Sequence, residues 1–351
     1  HLEGLLSGAY LHPCGNPVSA RALAPALATT HLLDAMGHLT RKERDHVCIL
    51  GSKLASLMLR RDYYPHHVAM ICDNDPRSVQ SIYRGILNQN FNTDRYAFVG
   101  LAGCLLPNHP HAARWRRHAV DQFRQQMRSF VYPGGAWEES HSYAVHVMLT
   151  LLPLALALRH APEAIDLMSD PAFKAMCRFF PALLSPRADA SGGVRAIPAI
   201  GDHGLDTGTG YVSHVFAWLA AMDADARPLH EWAWSECGAK QSNAKSSHIG
   251  TFAPLFAAML HDVPTKPLLP TLPSVLELPG YGAAARCSAH TPHESLLVVR
   301  CGLSWAHYHN DQGSFWWWSR GRLICGDADL GRGSGLKHVH LGHNVLGYLG
   351  R

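Results

Sequence analysis

Five prolines, Pro264, Pro267, Pro270, Pro273 and Pro279, fall within sixteen residues of this 351-residue chain. Proline fixes φ and donates no backbone hydrogen, so the stretch is neither helix interior nor central strand. We read 264–280 as an interdomain linker between two kinds of pattern. In the domain before it, 1–263, the periods are helical. Trp115, Ala119, Phe123, Met127 and Phe130 recur at three- and four-residue intervals, while Arg114, Arg117, Arg124 and Arg128 fall elsewhere, which predicts an amphipathic helix. Similar periods recur near 20–37, 43–60, 77–88, 95–106, 140–160 and 247–261. Helix pairs joined by short Pro/Gly/Asn turns suggest antiparallel hairpins, which a ring and a bundle accommodate equally. In the domain after the linker, 281–351, the segments Ser295–Arg300, Ser314–Ser319 and Arg322–Cys325 are short, β-branched or aromatic, and bounded by turn residues. They predict antiparallel strands with hairpin turns.

An apolar fraction of 47% and this length predict a folded chain of two domains. A net charge of +4 without dense basic runs argues against a nucleic-acid binder. Nine cysteines, an odd number without CxxC pairs, indicate neither a disulfide framework nor a zinc ribbon. With no run of ~18 uninterrupted apolar residues and no basic segment leading into an apolar one, neither a membrane span nor a leader is expected.

Chemistry concentrates in four clusters. In His307-Tyr308-His309-Asn310-Asp311, residues at a spacing of two share one face of a strand, so both imidazoles and the carboxylate converge. The later Asp327 and His343 supply further ligand types for zinc, although two histidines and a carboxylate are also an iron set. A second cluster runs from Pro133 to Tyr143. Its Gly-rich turn and Ser140 precede an apolar helix, which puts Tyr143 in a first turn where amides favour a tyrosinate. The plainer alternative makes Ser140 an N-cap and Tyr143 a packing residue. In the third, Asn92 and Arg95 are three apart and can offer an amide and a guanidinium to a carboxylate, or be an N-cap and a solvated arginine. The fourth, Ile200-Gly201-Asp202-His203-Gly204, is by itself a polar turn.

Taken in order, these clusters resemble the heparinase II/III-like polysaccharide lyases, a group that includes heparinases and several alginate lyases. The resemblance runs from Asn92 onward. It rests on H-x-H-x-D-x-x-S-F at 307–315, then Gly321, Asp327 and His343-Asn344-Val345. Gly-Gly-x-x-Glu-x-Ser-x-x-Tyr at 134–143 and Ile197-Pro198-x-x-Gly201-Asp202 are the further markers.

The resemblance implies a multidomain α+β architecture: an N-terminal incomplete α/α toroid, then an antiparallel β-sandwich domain of which this chain carries the start. It matches Tyr143 and His307 to the catalytic pair, and Asn92 to a residue that binds the substrate carboxylate. His309, Asp327 and His343 match the ligands of a structural zinc ion. The implied substrate is an anionic, uronate-containing polysaccharide, which places such an enzyme in the periplasm or outside the cell. Arg95, Trp137, Glu138, His141 and His203 are the expected substrate-binding neighbours. Some members use a further tyrosine after the position of Asp327, where this chain offers His338 and His340 instead. The members' β region continues well past the His-Asn marker, so a longer parent protein is expected.

Such a lyase neutralises the uronate carboxylate, removes the C5 proton and expels the oxygen at C4. A free tyrosine is mostly protonated near neutrality, so His307, Arg95 or the helix N-terminus has to lower the Tyr143 pKa. The order in which Tyr143 and His307 act depends on the C5 configuration. Three rival readings stand beside this one: a zinc-dependent hydrolase built on His307, His309, Asp327 and His343, a non-catalytic carbohydrate-binding protein, and glycoside hydrolysis through Glu138 and Asp202.

Overall fold

The computed structural model describes residues 16–59, 89–201, 209–237, 268–302 and 312–326. They form an α+β chain whose helices precede one antiparallel sheet. The helices are α1 Asn16–Ala35, α2 Arg41–Met58, α3 Gln89–Leu105, α4 Ala112–Phe130, α5 His141–Arg159, α6 Pro171–Leu183, α7 Thr209–Met222 and α8 Arg227–Glu236. The strands are β1 Val275–Leu278, β2 Gly282–Cys287, β3 Ser295–Arg300, β4 Phe315–Ser319 and β5 Arg322–Cys325. The predicted periods near 77–88 and 247–261 lie outside the described residues.

The chain divides into two compact units, 1–129 with 147–169, and 130–146 with 170–351. Helical and β segments thus meet inside the second unit, whereas the sequence pattern changes type at the proline-rich stretch.

In the first unit α3 packs on α1 and α2. Thr40 caps α2 through a reciprocal box: its hydroxyl accepts from the Glu43 amide at 3.3 Å and its own amide donates to the Glu43 carboxylate at 2.8 Å. The α4 pattern resolves as its spacing requires, with Trp115, Ala119, Phe123 and Met127 buried. Arg116 breaks the polar face. It is buried, donates to both carboxylate oxygens of Glu163 at 2.7 and 2.6 Å, and reaches the Gly103 carbonyl at 2.5 Å. Close helix approach explains Gly100, where a Cβ would meet Ala119 and Leu154 at 2.6 Å. Helix α5 is long and apolar enough to cross a membrane, yet 83% of its apolar window is buried within the chain, as in a core helix.

In the second unit Asp170 caps α6, its carboxylate accepting from the Ala172 and Phe173 amides at 3.0 and 3.1 Å, with Pro171 at the first helical position. Helix α8 packs on α7 and α6. The sheet is a simple meander, β1-β2-β3-β4-β5, every neighbour antiparallel. Strand β1 forms within the stretch read as linker, and its place at the sheet edge is where flanking prolines are tolerated. Strands β3 and β5 keep the predicted bounds, and β4 starts one residue later than predicted.

Alternation sorts the sheet into two faces. Leu296, Val298, Trp316 and Trp318 are buried, while the row Val275, Ala285, Leu297, Trp317 and Cys325 runs in register across all five strands on the other face. Of the tryptophan run, only Trp317, 44% exposed, presents a surface.

Candidate active site

In the second unit a tight loop sets up the tyrosine segment. The Val131↔Trp137 bridge is closed by the Tyr132 amide donating to the Ala136 carbonyl at 2.8 Å and the Glu138 amide to the Phe130 carbonyl at 3.0 Å. Its tip requires glycine, because Gly135 has φ 96 and a Cβ there would lie 2.2 Å from the Ala175 carbonyl oxygen. The loop is thereby pressed flat on α6, and the chain leaves it directly into Trp137, Glu138 and α5.

From Glu138 to Tyr143 every side chain is buried although nearly all are polar. Tyr143 lies in the first turn of α5, 7% exposed, with its amide donating to the Ser140 carbonyl at 3.1 Å. The Ser140 and Ser142 hydroxyls are 3.1 Å apart. A buried polar run at the head of an apolar helix is costly unless its groups are satisfied.

His141 is held on both ring nitrogens. Its Nδ1 lies 2.8 Å from the Pro198 carbonyl, which only accepts, so Nδ1 carries the proton. In the neutral ring Nε2 is then the acceptor, and the Tyr281 hydroxyl, 2.8 Å away, donates to it. Tyr281 is fixed in turn by Arg300, whose guanidinium lies 4.2 Å over the ring and donates to the Tyr281 carbonyl at 2.6 Å. His141 therefore ties the start of α5 to the 197–201 segment and to the β1–β2 turn. Trp137 departs from expectation. It is 1% exposed, its indole donates to the Glu139 carboxylate at 2.9 Å and its ring packs on Phe130, so a sugar has no face of it to stack on.

In the first unit the head of α3 is a second buried polar segment, including Asn92, Thr93, Asp94 and Arg95. Arg95 donates to the Asn92 side-chain oxygen at 3.1 Å and to the Met58 carbonyl at 3.4 Å. Since a guanidinium only donates, this bond fixes the amide orientation and leaves the Asn92 NH2 group as the end available to an acceptor. Gln126 accepts from the Thr93 hydroxyl at 2.9 Å and from the Tyr96 hydroxyl at 2.5 Å. Burial pushes the Tyr96 phenol far above its ordinary value, which removes it as a base. Burial, then the Arg95 and Arg114 charges, pull His118 down to about 4, so it is neutral at physiological pH.

The structure thus brings Asn92 to Arg95 within the first unit, and gathers Trp137, Glu138, His141 and Tyr143 in one segment of the second. His203, His307, His309, Asp327 and His343 lie outside the described residues, as does Asp202. Among the described residues no group of His, Cys, Asp and Glu is placed to hold a metal ion. Tyr281, Arg300 and Gln126 were not among the residues expected from the sequence. None sits in a motif, and each acts through a partner distant in sequence.

No family profile matches the chain, nor does any curated protein. Among solved structures it is similar to heparinase III, with a TM-score of 0.52 and 13% identity over 69% of this chain and 35% of that one. Heparan sulfate lyase HepC from Pedobacter heparinus also matches, with a TM-score of 0.48 and 15% identity over 89% of this chain and 45% of that one. The chain spans less than half the length of either structure. Its fold is similar to that of heparinase III over the part of that structure which it covers.

Proposed function

We propose that the chain is the α/α toroid and the first β-sheet of a polysaccharide lyase that cleaves a uronate-containing anionic polysaccharide by β-elimination. The observation that carries this reading is the buried polar segment ending at Tyr143, seated at the head of a core helix in a heparinase-like fold. The apolar outer row of the sheet, from Val275 to Trp317, supports a sandwich, because such a face is buried when a second sheet packs on it.

In this mechanism the Asn92 amide, oriented by Arg95, donates to the substrate carboxylate and offsets the charge that develops there as C5 loses its proton. Tyr143 and His307 share the two proton transfers. One takes the C5 proton, the electron pair forms the C4–C5 double bond, the C4–O bond breaks, and the other group protonates the departing oxygen. The C5 configuration sets which of the two is the base. Glu138 and His203 are proposed to flank the sugar.

Asn92→Ala is expected to lower kcat/KM by about a hundredfold, the usual cost of one donor at a developing oxyanion. A change under about threefold, less than such a donor contributes, removes Asn92 from the mechanism. Cleavage in heavy-oxygen water tests the reaction class, because elimination adds no water. Label that enters faster than anomeric exchange in a control oligosaccharide means hydrolysis.

His309, Asp327 and His343, two imidazoles and a carboxylate, are a donor set suited to zinc, and we propose that they hold a structural zinc ion. Bound zinc braces the fold and takes no part in the steps above. His309→Ala is expected to lose the metal, read by elemental analysis, and to melt earlier. Unchanged metal content contradicts the assignment.

A further inference from the structure

The second unit holds a cavity of about 550 Å3 whose lining includes Arg187, Arg195, Trp232, His290, Glu294 and Arg320. Among the described residues assigned above to the elimination, neither Asn92 nor Tyr143 lines it. Its walls come from the segment after α6, from α8, from the turn before β3 and from the β4–β5 hairpin.

Its charge is unbalanced. Glu236 accepts from Arg187 at 2.9 and 2.8 Å and from Arg195 at 3.0 Å, while Glu294 accepts from Arg195 at 2.9 and 2.7 Å and also from Arg286. Three guanidiniums thus share two carboxylates, and Arg320, which has no ion pair among the described residues, adds a further positive charge. Arg187 gives its Nε and one terminal nitrogen to Glu236, which leaves its other terminal nitrogen to donate, and the exposed head of Arg320 has no carboxylate among the described residues.

Two independent features single out the same wall. The β4–β5 turn places Arg320 at φ 50 and Gly321 at φ 74, a primed turn in which asparagine is the cheaper first residue. His290 has φ 63, so two of the four non-glycine residues with left-handed backbone among the described residues line this one cavity. The buried Trp232 indole N–H, in the same wall, has no acceptor among the described residues.

We propose that this cavity anchors a sulfate or carboxylate group of an acidic saccharide, as a binding site separate from the residues that cleave it. The ligand class rests on the function proposed above, whereas the cavity and its charge do not.

Calorimetric titration of Tyr143→Phe protein at low salt tests this, with size-defined hexasaccharides of heparan sulfate, of its desulfated form and of hyaluronan as probes. Arg320→Asn suits the same turn and removes one charge, and Arg187→Gln is an independent surface variant. Each is expected to weaken binding about three- to tenfold, the worth of one charge-assisted contact, and to flatten the salt dependence. The loss is expected to add to that of Asn92→Ala, as for separate sites. Binding confined to the sulfated probe identifies sulfate as the anchored group, and equal binding of all three identifies the carboxylate. Unchanged affinity and salt dependence in both variants, or no binding of any probe, overturns the proposal. Failure of the lyase reading is a different result: the parent protein binds these probes and forms no unsaturated product.

Discussion

Tyr143→Phe is expected to abolish product formation while leaving saccharide binding intact. Phenylalanine keeps the ring and the packing of a side chain that is 7% exposed, and deletes only the hydroxyl. Stability should therefore change little. Removing a positioned acid or base costs on the order of 10²–10⁴ in rate. Because proton transfer belongs to the transition state, the loss falls on kcat, while binding measured by calorimetry stays near the parent value. Turnover retained within about tenfold, well short of such a loss, removes Tyr143 from the chemistry. Loss of binding together with turnover makes it a packing residue.

The largest stability effect is expected at Glu294, 3% exposed and shared by Arg195 and Arg286, with the His290 amide donating to it at 2.9 Å. Glu294→Gln leaves two buried guanidiniums facing an amide that itself donates. Breaking a buried ion pair from one side costs about 3–5 kcal/mol. Scanning calorimetry should show an earlier unfolding transition, and an unchanged one contradicts the network's role. The pH dependence follows from the same contacts. Burial raises the Glu294 carboxyl, but the hydrogen bonds and charge of Arg195, with Arg286, outweigh it and hold the group below its ordinary value of 4.5. For a carboxyl depressed on folding, the stabilisation is complete above the unfolded value and is lost as pH falls below it toward the folded one. The parent protein should lose stability on acidification below about pH 4.5, and the Gln variant should lose less over that window.

How legible each part was in the sequence follows from how local its cause is. The α4 stripe and the β3 and β5 strands were readable because spacing alone dictates which side chains are buried. Strands β1 and β2 were not. Gly-Ala-Ala-Ala-Arg-Cys carries little intrinsic strand preference, and its pairing partners in β3 decide its form. The place of Tyr143 in the first turn of α5 was legible because glycine turn, serine and apolar helix are consecutive. Tyr281 was not, since its hydroxyl meets His141 across 140 residues of sequence. Trp137 was expected to stack on a sugar, but its ring is buried, and burial of that kind is decided by packing partners that the local sequence does not name.

The most direct measurement is ultraviolet absorbance of the products from a panel of heparan sulfate, hyaluronan, chondroitin, alginate and glucuronan. At least one polymer is expected to yield absorbing, 4,5-unsaturated uronate ends, and Tyr143→Phe protein to yield none. Saturated reducing ends from any of these polymers, without absorbance, contradict β-elimination.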